Sequence, residues 1–145
     1  MKKIKALLLT FALILLAGCG KSLTNKSTGD TMKISLDVDT SSNYVWSYSI
    51  MDSNVIDLKS EEFLTPADDE TLDSDAQVLT FKAFNEGESE IILSYMNNDS
   101  GKTKYDITYV ITVDANKNIK VKEKSGKYSK KLPNPVIYTE SNDEK

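Results

Sequence analysis

The sequence of 145 residues contains no histidine, and all 18 of its basic side chains are lysine. It has one cysteine, one tryptophan and three prolines. Each scarcity closes off some chemistry. Without histidine, neither a Ser-His-Asp triad nor a Cys-His dyad can be assembled within the chain, and His/Cys zinc sites of the usual kind are excluded. A single cysteine allows no intrachain disulfide. The six glycines nowhere fall at the spacing of a phosphate loop or a dinucleotide-binding turn. No catalytic residue, metal site or cofactor is expected, and the chain does not read as an enzyme.

Charge is present but unevenly placed. Lys33 to Asp114 holds five lysines against seventeen acids, a net of −12, while Ala115 to Lys131 holds seven lysines against the single acid Glu123, a net of +6. An acidic folded part repels phosphate, so nucleic acid is not an expected partner. The lysine-rich stretch reads as a solvated hairpin and tail. Beside a lipid anchor, its lysines could also meet anionic headgroups, at about 1 kcal/mol each.

The first residues read as an address. Lys2, Lys3 and Lys5 precede Ala6 to Ala17, which is apolar except for Thr10 and has the length of a signal-peptide core rather than of a membrane span. The run ends in Leu16-Ala17-Gly18-Cys19, which resembles the lipobox of bacterial lipoproteins. That resemblance implies removal of residues 1–18, lipidation of Cys19 and anchoring on the extracytoplasmic face of the cell membrane. Acyl chains contribute about 0.8 kcal/mol per buried methylene, so a multiply acylated cysteine anchors stably. Residues 19–31 are polar and read as a flexible tether. Residues 32–122 form one small domain, and 123–145 reads as a Lys-rich, disordered tail.

Within the domain, period-2 alternation predicts strands. Met32, Ile34, Leu36 and Val38 share one face, followed by Tyr44, Trp46, Tyr48 and Ile50. A short strand over Val55 to Leu58 precedes an acidic, irregular stretch, Lys59 to Ala76, which Phe63 and Leu64 are expected to hold down. Gln77 to Val113 then reads as a three-stranded antiparallel meander. Its inward faces are Leu79, Phe81 and Ala83, then Ser89, Ile91, Leu93 and Tyr95, then Tyr105, Ile107, Tyr109, Ile111 and Val113. Gly87 permits its first turn. Ile119 and Val121 add an edge. About seven short strands without a helix imply an all-β, immunoglobulin-like antiparallel β-sandwich.

Two constellations invite chemistry. Val38-Asp39-Thr40-Ser41 is similar to the active-site turn of aspartic proteases, but it lacks the glycine and has no second copy in the chain to supply the paired aspartate. Asp68, Asp69, Glu70, Asp73 and Asp75 could offer oxygens to calcium, yet they lack the ligand order and mid-loop glycine of an EF-hand. A solvated acidic loop is the simpler reading.

From Met32 to Val113 the order of strands and turns resembles the chagasin-type inhibitors of papain-like cysteine proteases. Phe81, Ala83, Gly87, Ile91, Leu93 and Tyr95 stand where that family carries F-x-A, glycine and an alternating strand ending in tyrosine. Asp39-Thr40-Ser41-Ser42-Asn43-Tyr44-Val45-Trp46 stands where the family reads Asn-Pro-Thr-Thr-Gly-Tyr-x-Trp. The resemblance implies an immunoglobulin-like sandwich that enters a protease cleft with three loops at one end. The residues it assigns to binding are Asp39, Thr40, Ser41, Ser42, Asn43, Tyr44 and Trp46, with Met96, Asn97 and Asn98 on the third loop. Asn43 replaces the glycine and is expected to tolerate φ > 0; Thr40 replaces the proline. The middle loop, Asp73 to Gln77, has no glycine, and Met96-Asn97-Asn98 stands where the family opens with Arg-Pro-Trp. The implied partners are a papain-like cysteine protease and, through Cys19, a membrane. A non-inhibitory binding or structural lipoprotein on the same fold remains the alternative.

Overall fold

Alternating strands that each bury one face need a second layer to cover it. The structure, a computed structural model, describes residues 28–140; the leader and Cys19 lie outside the described residues. It contains β1 (Thr31–Asp37), β2 (Tyr44–Ile50), β3 (Ile56–Leu64), β4 (Ala76–Ala83), β5 (Gly87–Asn97), β6 (Thr103–Val113), β7 (Ile119–Lys127) and β8 (Val136–Tyr138). These form two antiparallel sheets in the orders β3-β4-β1-β8 and β2-β5-β6-β7. Met32, Ile34, Leu36, Leu79 and Phe81 of the first sheet face Ile91, Leu93, Ile107, Tyr109 and Ile111 of the second, all fully buried. Burying each such side chain contributes about 1.5–3 kcal/mol. The result is the all-β sandwich expected from the alternation.

The meander does not form. β4 pairs with β1 and β3, whereas β5 pairs with β2 and β6, so residues 84–86 carry the chain from one sheet to the other. Alternation cannot distinguish neighbours in a sheet from strands stacked across a core, because both present the same inward phase. The corner depends on Gly87: its φ is 155°, and a Cβ there would lie 2.8 Å from Val55 Cγ2.

Three further expectations give way. β3 continues to Leu64, past the expected end at Leu58, because a bulge between Leu58 and Ser60 shifts its phase and hides the alternation. Phe63 holds nothing down; it lies on this edge strand, 54% exposed. The segment 123–140, expected to be disordered, completes both sheets. β7 runs to Lys127 along β6, residues 128–135 cross between the layers, and β8 pairs with Thr31 to Lys33. Lysines suit an exposed edge, where they oppose pairing with another chain, so composition alone reads the strand as solvated tail. The Tyr109 hydroxyl donates to the Pro133 carbonyl at 2.9 Å and fixes the crossing; burial pushes its pKa up to about 12.

One polar side chain joins the sheets. Gln77 occupies the inward phase of Leu79 and Phe81 and is fully buried. Its Oε1 accepts the Trp46 backbone N–H at 2.9 Å, and its Nε2 donates to the Trp46 carbonyl at 2.7 Å and to the Glu61 carboxylate. The amide thereby completes the edge of β2 that faces away from β5. Replacing Gln77 by leucine strands both backbone groups of Trp46, at about 1–3 kcal/mol per unsatisfied group. We expect Gln77→Leu to lower the unfolding free energy by about 2–4 kcal/mol in urea titrations. A loss under about 0.5 kcal/mol, within the range of ordinary surface substitutions, would contradict this role.

Candidate functional site

β1 ends at Asp37 and β2 begins at Tyr44, so residues 38–43 must carry the chain between the two sheets. This first loop is built from side chains that bond their own backbone. Asp39 Oδ1 accepts the Ser41 N–H at 3.0 Å and the Ser41 hydroxyl at 2.5 Å. The Ser42 N–H and hydroxyl both reach the Asp39 carbonyl, at 3.0 and 2.8 Å. Asp and Ser make such turns because a short side chain can mimic the next peptide group. The two bonds from Ser41 hold the Asp39 carboxyl below the usual aspartate range, so it is ionised at neutral pH.

Neighbouring loops brace the first from both sides. Towards the second loop, residues 65–75, the Val38 N–H donates to the Asp75 carbonyl at 3.0 Å and the Thr40 hydroxyl donates to the Asp75 carboxylate at 2.5 Å. The Ser74 hydroxyl reaches Asp37 at 3.2 Å. Towards the third loop, residues 98–102, the Asn98 N–H donates to the Asn43 carbonyl at 2.8 Å, and the Asn43 amide donates to the Asp99 carboxylate. The three loops thus form one continuous edge, at the pole opposite the Gly87 corner.

Aromatic rings fill the space beneath. Trp46 donates its indole N–H to the Asp37 carbonyl at 2.9 Å, and its ring lies 5.0 Å from Tyr95 and 5.6 Å from Tyr128. Tyr44 lies 5.3 Å from Tyr95, and Tyr105 lies 6.1 Å from Tyr95 and 5.4 Å from Tyr128. The Tyr95 hydroxyl accepts the Asp39 N–H at 3.2 Å and ties the loop to this cluster. Each tilted or stacked pair contributes about 0.5–1.5 kcal/mol beyond its buried area.

The residues singled out in the sequence divide by position. Asp39, Thr40, Ser41, Asn43 and Asn98 are exposed on the edge, and Ser42 and Tyr44 are half-buried. Trp46, at 2% exposure, supports the loop from below and does not meet solvent. Asn97 turns inward: its Oδ1 accepts the N–H groups of Asp99 and Ser100, at 3.0 and 2.9 Å, and so shapes the third loop. Met96 lies beside Ser47, whose hydroxyl is 3.2 Å from its sulfur, on the outer face of the sheet. Asn43 does not use the left-handed region; among the described non-glycine residues only Lys117 has positive φ. The turn closes through Asp39 and Ser42 instead.

Sequence reasoning assigned no contact to Asp75, Asp99 or Lys104, and it missed Tyr128. Lys104 Nζ stands 5.8 Å from the Tyr44 ring centre and 5.3 Å from that of Tyr105, a double cation–π contact. No local pattern marks Tyr128, whose partners come from β2 and β6. In the acidic loop, Asp68 and Asp69 turn back to accept the backbone N–H groups of Thr65 and Thr71, at 2.8 and 2.9 Å. Among the described residues no three carboxylates gather as a metal site.

Residues 25–113 match the family described as Chagasin family peptidase inhibitor I42. The chain belongs to the chagasin family of peptidase inhibitors. A solved cysteine protease inhibitor from Entamoeba histolytica is similar at 20% identity, with a TM-score of 0.49, covering 61% of this chain and 81% of that one. Family membership rests on the sequence match. No curated protein matches the chain. The chagasin-family match ends at Val113, so β7, the crossing segment and β8 lie beyond it.

The Asp39–Ser41 turn carries a pH dependence. A carboxylate with a lowered pKa holds its bonds above the ordinary value of 3.8 and loses them as pH falls through its own, lower value. The backbone amide signal of Ser41 should therefore titrate with a midpoint below 3.8 in NMR spectra. A midpoint at or above that value would contradict the turn.

Proposed function

We propose that this chagasin-family chain is a membrane-anchored, extracytoplasmic lipoprotein that inhibits papain-like cysteine proteases with its three-loop edge. The observation that carries the reading is the bracing of the first loop from both sides, through Thr40 and Asp75 on one flank and Asn43 and Asp99 on the other. A loop held in this way gives up little conformational freedom on docking, which favours affinity. It also resists cleavage. A protease needs an extended, pliable segment whose backbone groups it can bond, and here the Ser41 and Ser42 N–H groups and the Asp39 carbonyl are already engaged within the turn. Exposed Asp39, Thr40 and Ser41 would enter the cleft towards the catalytic cysteine, while the second and third loops meet its walls. Internal hydrogen bonds replace the rigidity lost where Thr40 stands instead of proline.

The lipobox-like Leu16-Ala17-Gly18-Cys19 supports the anchored reading, and so does the polarity of the fold. β1 starts at Thr31, at the pole of the Gly87 corner, and runs to Asp37 beneath the loops. A tether attached to β1 therefore reaches the pole opposite the binding edge. The polar composition of residues 20–27 suits a tether that holds the domain at a bilayer with its loops outward.

The third loop favours a second reading, a lipoprotein that binds another partner without inhibiting proteases. Asn97 to Gly101 carries no aromatic side chain of the kind that dominates binding energy at interfaces. Inhibition assays separate the two readings. The leaderless chain, residues 20–145, titrated against several papain-like enzymes should give reversible inhibition, competitive with substrate and without cleavage of the chain. No inhibition at micromolar concentration across such a panel would overturn the inhibitory reading and leave the second.

A further inference from the structure

The crossing segment lies outside the chagasin-family match, yet it passes beside the first loop. At Lys127 the chain leaves β7, Tyr128 inserts against Trp46 and Tyr105, and Lys130 forms an ion pair with Asp37 at the end of β1. Leu132 then packs against the core. The pole that presents the three loops therefore has a fourth constituent, residues 127–131, with the sequence Lys-Tyr-Ser-Lys-Lys.

Apart from Lys130, its charge is not spent internally. Lys102, Lys104, Lys127 and Lys131 are exposed, and among the described residues they make no ion pair, whereas Lys59, Lys82, Lys122 and Lys130 do. Tyr105 links the two stretches: Lys104 stands over its ring, and its hydroxyl is held below the usual tyrosine range, by Ser129 first and then by Lys104 and Lys127. The second loop, on the other flank, carries Asp68, Asp69, Glu70, Asp73 and Asp75. The edge is therefore polarised, acidic beyond Asp75 and basic beyond Tyr105.

We propose that residues 127–131, with Lys102 and Lys104, form a fourth, basic wall of the binding edge that receives an acidic rim of the bound cysteine protease. The inference rests on the inhibitory reading. A membrane is the less suitable recipient, because the tether joins the opposite pole. Charges at the rim of an interface act mainly on association rate and its salt dependence. Tyr128 positions the wall by wedging beneath it, and the close approach of Gly126 to β6 sets the path: its φ is 138°, and a Cβ there would meet the Asp106 carbonyl oxygen at 2.1 Å.

The test compares three forms of residues 20–145, which keep every strand of the sandwich: the unaltered chain, Lys102→Gln/Lys127→Gln/Lys131→Gln, and the control Lys117→Gln/Lys120→Gln from the other pole. Association with an inhibited papain-like protease is followed at low and high salt, and circular dichroism checks that each form is folded. The proposal expects the triple variant to associate about three- to tenfold more slowly at low salt, with a flatter salt dependence, and the control to match the unaltered chain. Equal rates for all three forms would overturn the wall and leave the inhibitory reading standing. No inhibition by the unaltered chain would overturn that reading and the wall with it. Unchanged protease kinetics combined with loss of binding to phosphatidylserine vesicles in the triple variant would also overturn the proposal, assigning the lysines to a membrane.

Discussion

The side-chain amide of Gln77 completes the free edge of β2 as a neighbouring strand would. It is buried at an inward position of β4, and it takes the N–H and carbonyl of Trp46 from the opposite sheet. A buried polar group of this kind is stabilising only if all its partners are present. Here Oε1 has one donor and Nε2 two acceptors, and no buried side-chain polar atom among the described residues lacks a partner. Locking the Trp46 backbone locks its ring. The indole then holds the Asp37 carbonyl, where β1 gives way to the first loop, and packs against Tyr95, which holds the Asp39 N–H. A chain of contacts thus runs from the core to the exposed turn without passing through a flexible element.

The same dependence explains how the edge can be rigid with so little proline. Asp39, Ser41, Ser42, Asn43 and Asn97 are small polar residues that elsewhere would suggest a loose loop. In this setting each bonds a backbone group, a side chain of its own turn or a neighbouring loop, and the aromatic cluster below removes the space into which the turn could collapse. Opposite the edge, the pole where β1 begins is closed by other means: the Ile119 N–H donates to the Gly29 carbonyl at 2.8 Å, and the Ala83 N–H to the Asp30 carbonyl at 2.8 Å.

Much of this was legible from local pattern. β2 spans Tyr44 to Ile50, as its alternation implies, and the inward residues of β5 and β6 are the ones that the period-2 rule selects. What escaped has physical causes. The inward phase of Leu79, Phe81 and Ala83 is compatible with either sheet, so alternation alone sets β4 beside β5 rather than between β1 and β3. The bulge after Leu58 broke the phase of β3. Lysine-rich β7 carries the composition of a solvated tail because an edge strand buries little of its surface. Gln77 did leave a signal, a polar residue in an apolar phase, whereas Tyr128 left none, since its ring acquires meaning only when residues from β2 and β6 surround it. Of the residues named from the family pattern, Trp46 is buried beneath the edge, and Asn97 shapes the third loop by accepting the N–H groups of Asp99 and Ser100.

The proposed inhibition requires the three-loop edge to dock as one rigid unit. Hydrogen–deuterium exchange of residues 20–145, free and bound to a papain-like cysteine protease, tests this directly. It predicts slow exchange at the Ser41 and Ser42 amides already in the free chain, with added protection on binding confined to 38–44, 65–75, 98–102 and 127–131. Rapid exchange of those amides in the free chain, or protection spread over the sheet faces or the Gly87 pole, would contradict it.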